Sequence, residues 1–228
     1  MKRLLMLLLT LVLLWGCTAE PEQSAIRIAP LEEVRDFGGF TAQLPGEQEA
    51  QARAMVESAL AQYPRSLLEQ LGPVEILLAG ELTGYDRFEG GSYAGFTQRL
   101  EDGWRVVISA PAAHPGTVHH ELGHILDSVL TAAGRLPEEE WSSRNPPGFR
   151  YGTGDWEAYS DFFADAYAMT DLTEDRAAVF EAAVMGGEGV FDGKSPLWLK
   201  LYTFSEAIRA HFNTDGWPST TVWELALR

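Results

Sequence analysis

Apolar positions along the chain alternate between helical and strand-like spacing. The helical spacing predicts amphipathic helices over residues 47–63, 117–130, 156–169, 174–184 and 197–212. Short apolar runs bounded by turn-forming residues predict strands at Val74–Leu78, Tyr93–Gln98 and Arg105–Ser109. The pair Asp102-Gly103, between the last two runs, is typical of a hairpin turn. The pattern therefore predicts an α+β fold, with a small sheet followed by a helical C-terminal half.

The first 16 residues have the pattern of an export signal. Lys2 and Arg3 precede an apolar run, too short for a stable membrane span, that ends at Trp15. The residues Leu14-Trp15-Gly16-Cys17 resemble the lipobox of bacterial lipoproteins, although Trp15 is bulkier than the residue usual there. The resemblance implies that residues 1–16 are a lipoprotein signal peptide and that Cys17 carries a lipid. An ordinary signal peptide with an incidental cysteine is the alternative.

The rest of the chain divides by composition. Residues 17–45 are rich in Glu, Gln, Pro and Gly, which predicts a tether and N-terminal extension. Residues 46–228 are enough for a single domain with its own core, and we expect a monomer. Because Cys17 is the only cysteine, it excludes an intrachain disulfide and any cysteine ligand inside the domain. The expected location is the bacterial cell envelope, outside the cytoplasm and attached to the membrane by lipid.

The charge balance excludes one class of partner. The formal net charge is -16 at pH 7. Nucleic acids need a positive protein surface, so we expect no nucleic-acid partner.

The predicted helix over residues 117–130 carries a candidate metal site. His120 and His124 are four residues apart, so they share a helix face and can bind one zinc ion. Glu121 lies one position round the helix, where a carboxylate can take a proton from metal-bound water. Asp127 lies one turn after His124 and is a candidate to orient an imidazole. Gly123 costs roughly 1 kcal/mol in a helix relative to alanine, which indicates close packing by another element there.

Two histidines leave a catalytic zinc site one protein ligand short. His119 points to a different helix face and is expected at the surface, and His211 lies in a distant predicted helix. An acidic residue is therefore favoured as the third ligand. Residues 155–167 offer four candidates, which are Asp155, Glu157, Asp161 and Asp165.

Two segments together resemble a known family. His120-Glu121-Leu122-Gly123-His124, followed by Asp161-Phe162-Phe163-Ala164-Asp165, is similar to the paired motifs of the anthrax lethal factor-like metallopeptidases. This gluzincin group includes secreted bacterial Pro-Pro endopeptidases. The resemblance implies a zincin-like domain, with a small mixed sheet packed on the active-site helix.

Carried over by residue, the family's zinc-binding acid falls on Asp161, and Asp165 takes the following acidic position near the site. Asp161 is one methylene shorter than the family's glutamate, so Glu157 is the alternative ligand. The segment Gly152-Thr153-Gly154-Asp155 also resembles the aspzincin motif, which ranks Asp155 third. The family's oxyanion-stabilising tyrosine has no counterpart at its usual place, and Tyr151 is the candidate substitute.

The expected function is thus hydrolysis of peptide bonds in a peptide or protein substrate, with one Zn²⁺ ion and Glu121 as general base. One alternative is a zinc-binding interaction lipoprotein that retains the fold without activity. A zinc hydrolase acting on another bond is less favoured.

Overall fold

The computed structural model describes residues 25–84, 92–186 and 191–228. The predicted signal peptide, Cys17 and the start of the predicted tether lie outside these ranges, so those interpretations stay predictions. Within these ranges no helix is both long and apolar enough to cross a membrane. The predicted α+β fold class is confirmed, because a mixed sheet precedes a largely helical C-terminal half.

A four-stranded mixed sheet lies at the centre of the fold. Its strands, in spatial order, are β1 (Ile26–Pro30), β4 (Val74–Ala79), β8 (Trp104–Ser109) and β7 (Gly95–Arg99). β1, β4 and β8 are parallel, whereas β7 is antiparallel to β8 and forms an edge. The predicted hairpin at Asp102-Gly103 is confirmed, since the Leu100 N–H donates to the Gly103 carbonyl at 2.9 Å.

A second, antiparallel sheet covers one face of the first. It consists of β2 (Arg35–Asp36), β3 (Phe40–Ala42), β5 (Leu82–Gly84) and β6 (Ser92–Tyr93). Leu82 from this sheet packs with Leu77 and Val107 from the central sheet, and all three are buried. Each sheet therefore combines strands from the predicted N-terminal extension, which ends at residue 45, with strands from the predicted domain that follows it.

The helices lie mainly on the other face of the central sheet. They are α1 (Glu49–Leu60), α2 (Arg65–Gln70), α3 (Pro115–Ala132), α4 (Glu138–Ser142), α5 (Trp156–Tyr159), α6 (Leu172–Val184) and α7 (Pro196–His211). The predicted helices near α1, α3, α6 and α7 are confirmed.

The predicted helix over residues 156–169 is wrong, because α5 ends at Tyr159. After α5 the Phe162 N–H donates to the Tyr159 carbonyl at 2.9 Å, as in a turn, and the Phe162 carbonyl accepts from Lys200 Nζ at 2.8 Å. The buried Phe163 side chain packs with Met169, and the chain between them bends and then forms a short 3-10 helix at Tyr167–Met169.

Helix α3 is the central helix of the core. His114 is its N-cap, accepting from the Gly116 N–H at 3.1 Å, and Pro115 occupies the first helical position. Val118, Leu122 and Ile125 face the core, each burial contributing about 1.5–3 kcal/mol. One face of α3 is thus fixed in the core, and the histidines of the motif lie on the face next to α6.

Gly123 explains how closely α3 and α6 approach. A Cβ atom at residue 123 would lie 3.0 Å from Ala177 Cα on α6, closer than carbon atoms normally pack. The predicted close packing at Gly123 is confirmed, and it brings the polar face of α6 beside the motif histidines.

Candidate metal centre

His120, His124 and Glu174 converge at one point between α3 and α6. Glu174 Oε2 lies 3.0 Å from His120 Nε2 and 3.4 Å from His124 Nε2. The three side chains are partly buried, and their ligand atoms lie within 4.8 Å of one another. Among the described residues, this is the group of histidine and acidic side chains that could hold a metal ion.

The spacing suits tetrahedral zinc. Ligands at 2.0–2.1 Å from a tetrahedral ion lie about 3.3 Å apart, close to the two nitrogen–oxygen distances above. Two imidazoles and one carboxylate are also ligand types that zinc accepts in catalytic sites, with a further position left for water. The donor set therefore fits a single zinc ion.

The acid that the structure brings to the two histidines is Glu174 and not the predicted Asp161. Asp161 is exposed in the turns that replace the predicted helix and does not belong to the group. The alternatives Glu157 and Asp155 are exposed as well, and Asp155 caps α5 by accepting from the Glu157 N–H at 3.1 Å. Because the chain turns after Tyr159, this segment does not present a helical face to the histidines.

Local sequence places Glu174 in the first turn of α6. Asp171 is the N-cap of this helix and accepts from the Thr173 N–H at 2.9 Å. A carboxylate in the first turn is also favoured by the helix dipole. Glu174 is therefore held on a regular element, one turn before the point where Ala177 contacts α3.

A buried ion pair anchors this first turn from behind. Asp175 accepts from Lys200 Nζ at 2.7 Å, and both side chains are 0% exposed. The same carboxylate accepts from Trp141 Nε1 and from the Tyr151 hydroxyl, each at 2.8 Å. With four hydrogen bonds the buried carboxylate is well compensated, so α4, α6 and α7 are joined next to Glu174.

Glu174 and His120 each stabilise the charged form of the other. Burial alone would raise the pKa of Glu174, but its contacts with His120 and His124 outweigh this and hold the pKa at about 2. Burial would lower the pKa of His120, whereas Glu174, Glu181 and Glu121 raise it to about 10. At neutral pH His120 is therefore protonated in the metal-free protein, in a cavity that attracts cations.

Glu181 also orients His120. Its Oε2 atom lies 3.2 Å from His120 Nδ1, on the side of the ring away from Glu174. A carboxylate at this nitrogen fixes the tautomer that leaves Nε2 free for a metal, and it raises the basicity of the ligand. This is the role predicted for Asp127, whose carboxylate instead accepts from Arg176 Nη1 at 2.6 Å and from Thr131 at 3.0 Å.

Glu121 is held between α3 and strand β7. Its Oε2 atom accepts from the Thr97 hydroxyl at 2.7 Å, and the residue is 4% exposed. A Cβ atom at Gly95 would lie 3.1 Å from Glu121 Oε1, so glycine leaves room for the carboxylate there. Burial raises the pKa of Glu121 despite the opposing charges of His124 and His120. A carboxylate with a raised pKa is suited to accept and return a proton near neutral pH.

The tyrosine that contacts Glu174 is Tyr167 and not Tyr151. The Tyr167 hydroxyl donates to Glu174 Oε1 at 3.3 Å, and its ring centroid lies 6.3 Å from that of His120. Burial and the Glu174 charge raise the pKa of Tyr167, so its phenol stays protonated. Tyr151, the predicted tyrosine, instead packs on Phe149 and Phe163, and its hydroxyl donates to Asp175 and not to Glu174.

Two further residues differ from expectation. Asp165 is exposed and accepts from the Ala168 N–H at 2.7 Å, so it stabilises a turn and does not contact a metal ligand. His119, expected at the surface, is 1% exposed, and its Nδ1 lies 2.7 Å from the Tyr63 hydroxyl. Burial lowers the pKa of His119 to about 4, so it is a neutral core residue.

The candidate metal centre opens into a cavity of about 1240 Å³. The volume exceeds that of a typical small-molecule site and can hold several residues of a peptide. Residues of strand β7, the second sheet, α3 and α6 line the cavity, and the aromatic side chains among them include Phe40, Tyr93 and Phe96.

Comparisons with known proteins identify the fold. No protein-family model matches the chain, and a search of curated proteins also gave no match. A solved structure from Bacteroides caccae, described provisionally as a zinc-binding metallo-peptidase, is similar with a TM-score of 0.56. The match has 16% sequence identity and covers 90% of this chain and 84% of the other. At this identity the likeness establishes a shared metallopeptidase-like fold.

Sequence reasoning overlooked Glu174, Glu181 and Tyr167. A signal for the first two was present, because they are seven residues apart on a predicted helix and therefore share a face. The family resemblance instead favours an acid in the earlier segment, residues 155–167. Nothing in the sequence pattern distinguished Tyr167 from the neighbouring core aromatic residues.

Removing the third ligand should remove the metal. We expect Glu174→Ala to lower zinc affinity by at least about 100-fold, because catalytic zinc needs three protein ligands. Zinc content after dialysis against a weak chelator measures this, and circular dichroism checks folding. Asp161→Ala and Glu157→Ala are matched controls that should retain zinc. Loss of zinc in Asp161→Ala but not in Glu174→Ala would contradict the assignment.

Zinc binding should depend steeply on pH. The pKa of His120, raised to about 10, keeps a proton on the ligand at pH 7, and zinc must displace it. Apparent affinity should therefore rise about tenfold per pH unit between pH 7 and 9. Glu181→Gln removes one cause of the raised pKa and should move the plateau to lower pH. A competition titration that finds constant affinity over this range would refute the account.

Proposed function

We propose that the chain is a zinc-dependent peptidase with a single zinc ion. The observation that carries the proposal is the position of buried Glu121 beside His120, His124 and Glu174, at the wall of a peptide-sized cavity. The solved structure that shares the fold is itself described as a zinc-binding metallo-peptidase.

His120, His124 and Glu174 would hold the zinc. When bound, zinc acts as a Lewis acid on a carbonyl oxygen and lowers the pKa of its water towards about 7. Glu121 accepts the proton of the attacking water on Oε1, since Oε2 already accepts from Thr97. The same carboxyl group then returns the proton to the leaving amine.

Tyr167 is the donor for the charge that develops on the carbonyl oxygen. Tyr167 lines the cavity, and its hydroxyl donates to Glu174 Oε1 at 3.3 Å. This hydrogen bond is long, so the hydroxyl can donate to a substrate oxygen in its place. The residue is 44% exposed, so substrate can reach it. A positioned donor of this kind typically contributes about 10²–10³ in turnover.

The proposal includes a location. A lipid on Cys17 would tether the domain to the outside of a bacterial membrane, and the support is the Leu14–Cys17 sequence alone. Metabolic labelling with a fatty acid should modify the full chain but not Cys17→Ser. Equal labelling of both, or of neither, would remove the tether from the proposal.

Cleavage of a mixed peptide library by the zinc-loaded full chain tests the activity. Glu121→Gln should keep zinc but lose cleavage, because the amide cannot accept the proton. In the same assay Tyr167→Phe should lower kcat by about 100-fold. Full turnover in Glu121→Gln would exclude this mechanism. Zinc binding without cleavage by the parent would instead favour a binding lipoprotein.

A further inference from the structure

We propose that Arg99 recognises a carboxylate on the peptide substrate, close to the bond that is cleaved. The inference rests on the proposed function and names the substrate class, which is peptides with an acidic side chain or a free C-terminus at that position. Of the two arginines that line the described part of the cavity, Arg176 is paired with Asp127, whereas Arg99 forms no ion pair with a described residue.

Strand alternation places Arg99 on the catalytic face of β7. Side chains two residues apart point to the same side of a strand, so Gly95, Thr97 and Arg99 face α3. The first two already contact Glu121 from this side. The sheet register agrees, because Arg99 pairs with Trp104, whose buried side chain belongs to the helix-facing core. Arg99 is thus the next residue along the wall that holds the general base.

The guanidinium of Arg99 lies over an aromatic ring, and no described carboxylate neutralises its charge. Its Cζ atom lies 4.3 Å from the centroid of the Trp104 ring, a cation–π contact of about 0.5–1 kcal/mol at an exposed site. Both residues line the cavity. Within residues 25–84, 92–186 and 191–228, no carboxylate lies within ion-pair distance of Arg99. The fork of N–H donors therefore remains available to a ligand.

The other charges of the cavity are already used. Arg176 is 2% exposed and forms an ion pair with Asp127 at 2.6 Å. Glu174 and Glu181 contact His120, and Glu121 accepts from Thr97. The charged groups just named have partners within the protein, which leaves Arg99 as the lining arginine that can bind a substrate carboxylate in the described part of the cavity.

The distance between Arg99 and the cleaved bond limits which carboxylate of the substrate Arg99 can bind. Arg99 is two residues beyond Thr97, or about 7 Å along the strand. An extended peptide that follows β7 covers this length in two residues. The recognised carboxylate therefore lies within about two residues of the cleaved bond, and arginine can bind it through two parallel hydrogen bonds.

The experiment compares matched peptides derived from a sequence that the parent cleaves. One series exchanges Glu for Gln at each of the two positions on either side of the bond. A second series compares free and amidated C-termini, which separates a side-chain carboxylate from a terminal one. We expect kcat/KM to favour the carboxylate about tenfold at one position, with the preference falling as salt is added.

Variants assign the preference to Arg99. Arg99→Gln should reduce the ratio to about one, and Arg99→Lys should retain part of it, because lysine keeps the charge but not the fork. Arg35→Gln is the matched control and should keep the ratio, since Arg35 is also exposed over an aromatic ring but lies outside the cavity. Melting temperature and zinc content confirm that each variant folds.

The two proposals fail in different ways. A parent that cleaves peptides without preference, or an equal ratio in Arg99→Gln and the parent, would overturn the role of Arg99. A parent that cleaves no peptide would overturn the peptidase. In that case carboxylate recognition is tested by binding, with fluorescence anisotropy of labelled Glu and Gln peptides on the zinc-loaded chain. Equal affinity for the two peptides would overturn carboxylate recognition as well.

Discussion

The close approach of α3 and α6 at Gly123 and Ala177 is the constraint on which the site depends. The motif on α3 supplies two imidazoles and the buried carboxylate of Glu121, but two imidazoles alone leave a zinc site one protein ligand short. Contact without a side chain at residue 123 brings Glu174 within 3.0 Å of His120 and brings Glu181 to the other side of the same ring. One packing contact therefore places both Glu174 and Glu181 against His120.

Electrostatic compensation explains why so many acidic groups can share this region. Around the histidines, carboxylates and imidazoles stabilise each other's charged forms, and a divalent cation would replace the proton that His120 holds. Directly behind them, Asp175 and Lys200 form a fully buried pair with additional donors. Loss of either partner would leave a buried charge, which typically costs 3–5 kcal/mol. The first turn of α6, which carries Glu174, is thus supported by a buried polar network.

The parts of the site that follow from local sequence could be predicted, and the parts that depend on packing could not. His120, Glu121 and His124 share one helix, so their spacing fixes their geometry. Glu174 meets them only through tertiary contact, although its helix was predicted. The segment after Trp156 has helical spacing, but its helix ends at Tyr159 and the following residues turn and bend, with the Phe162 carbonyl bonded to Lys200. Asp161, which follows the end of this helix, is therefore not brought to the two histidines.

The central claim is that zinc is held by His120, His124 and Glu174. X-ray absorption spectroscopy of the zinc-loaded chain tests it most directly, compared with Glu174→Gln. We predict two imidazole nitrogens and a carboxylate oxygen at about 2.0–2.2 Å in the parent, with loss of the carboxylate signal in the variant. Identical spectra for the two proteins, or a parent spectrum with a single imidazole, would contradict the account.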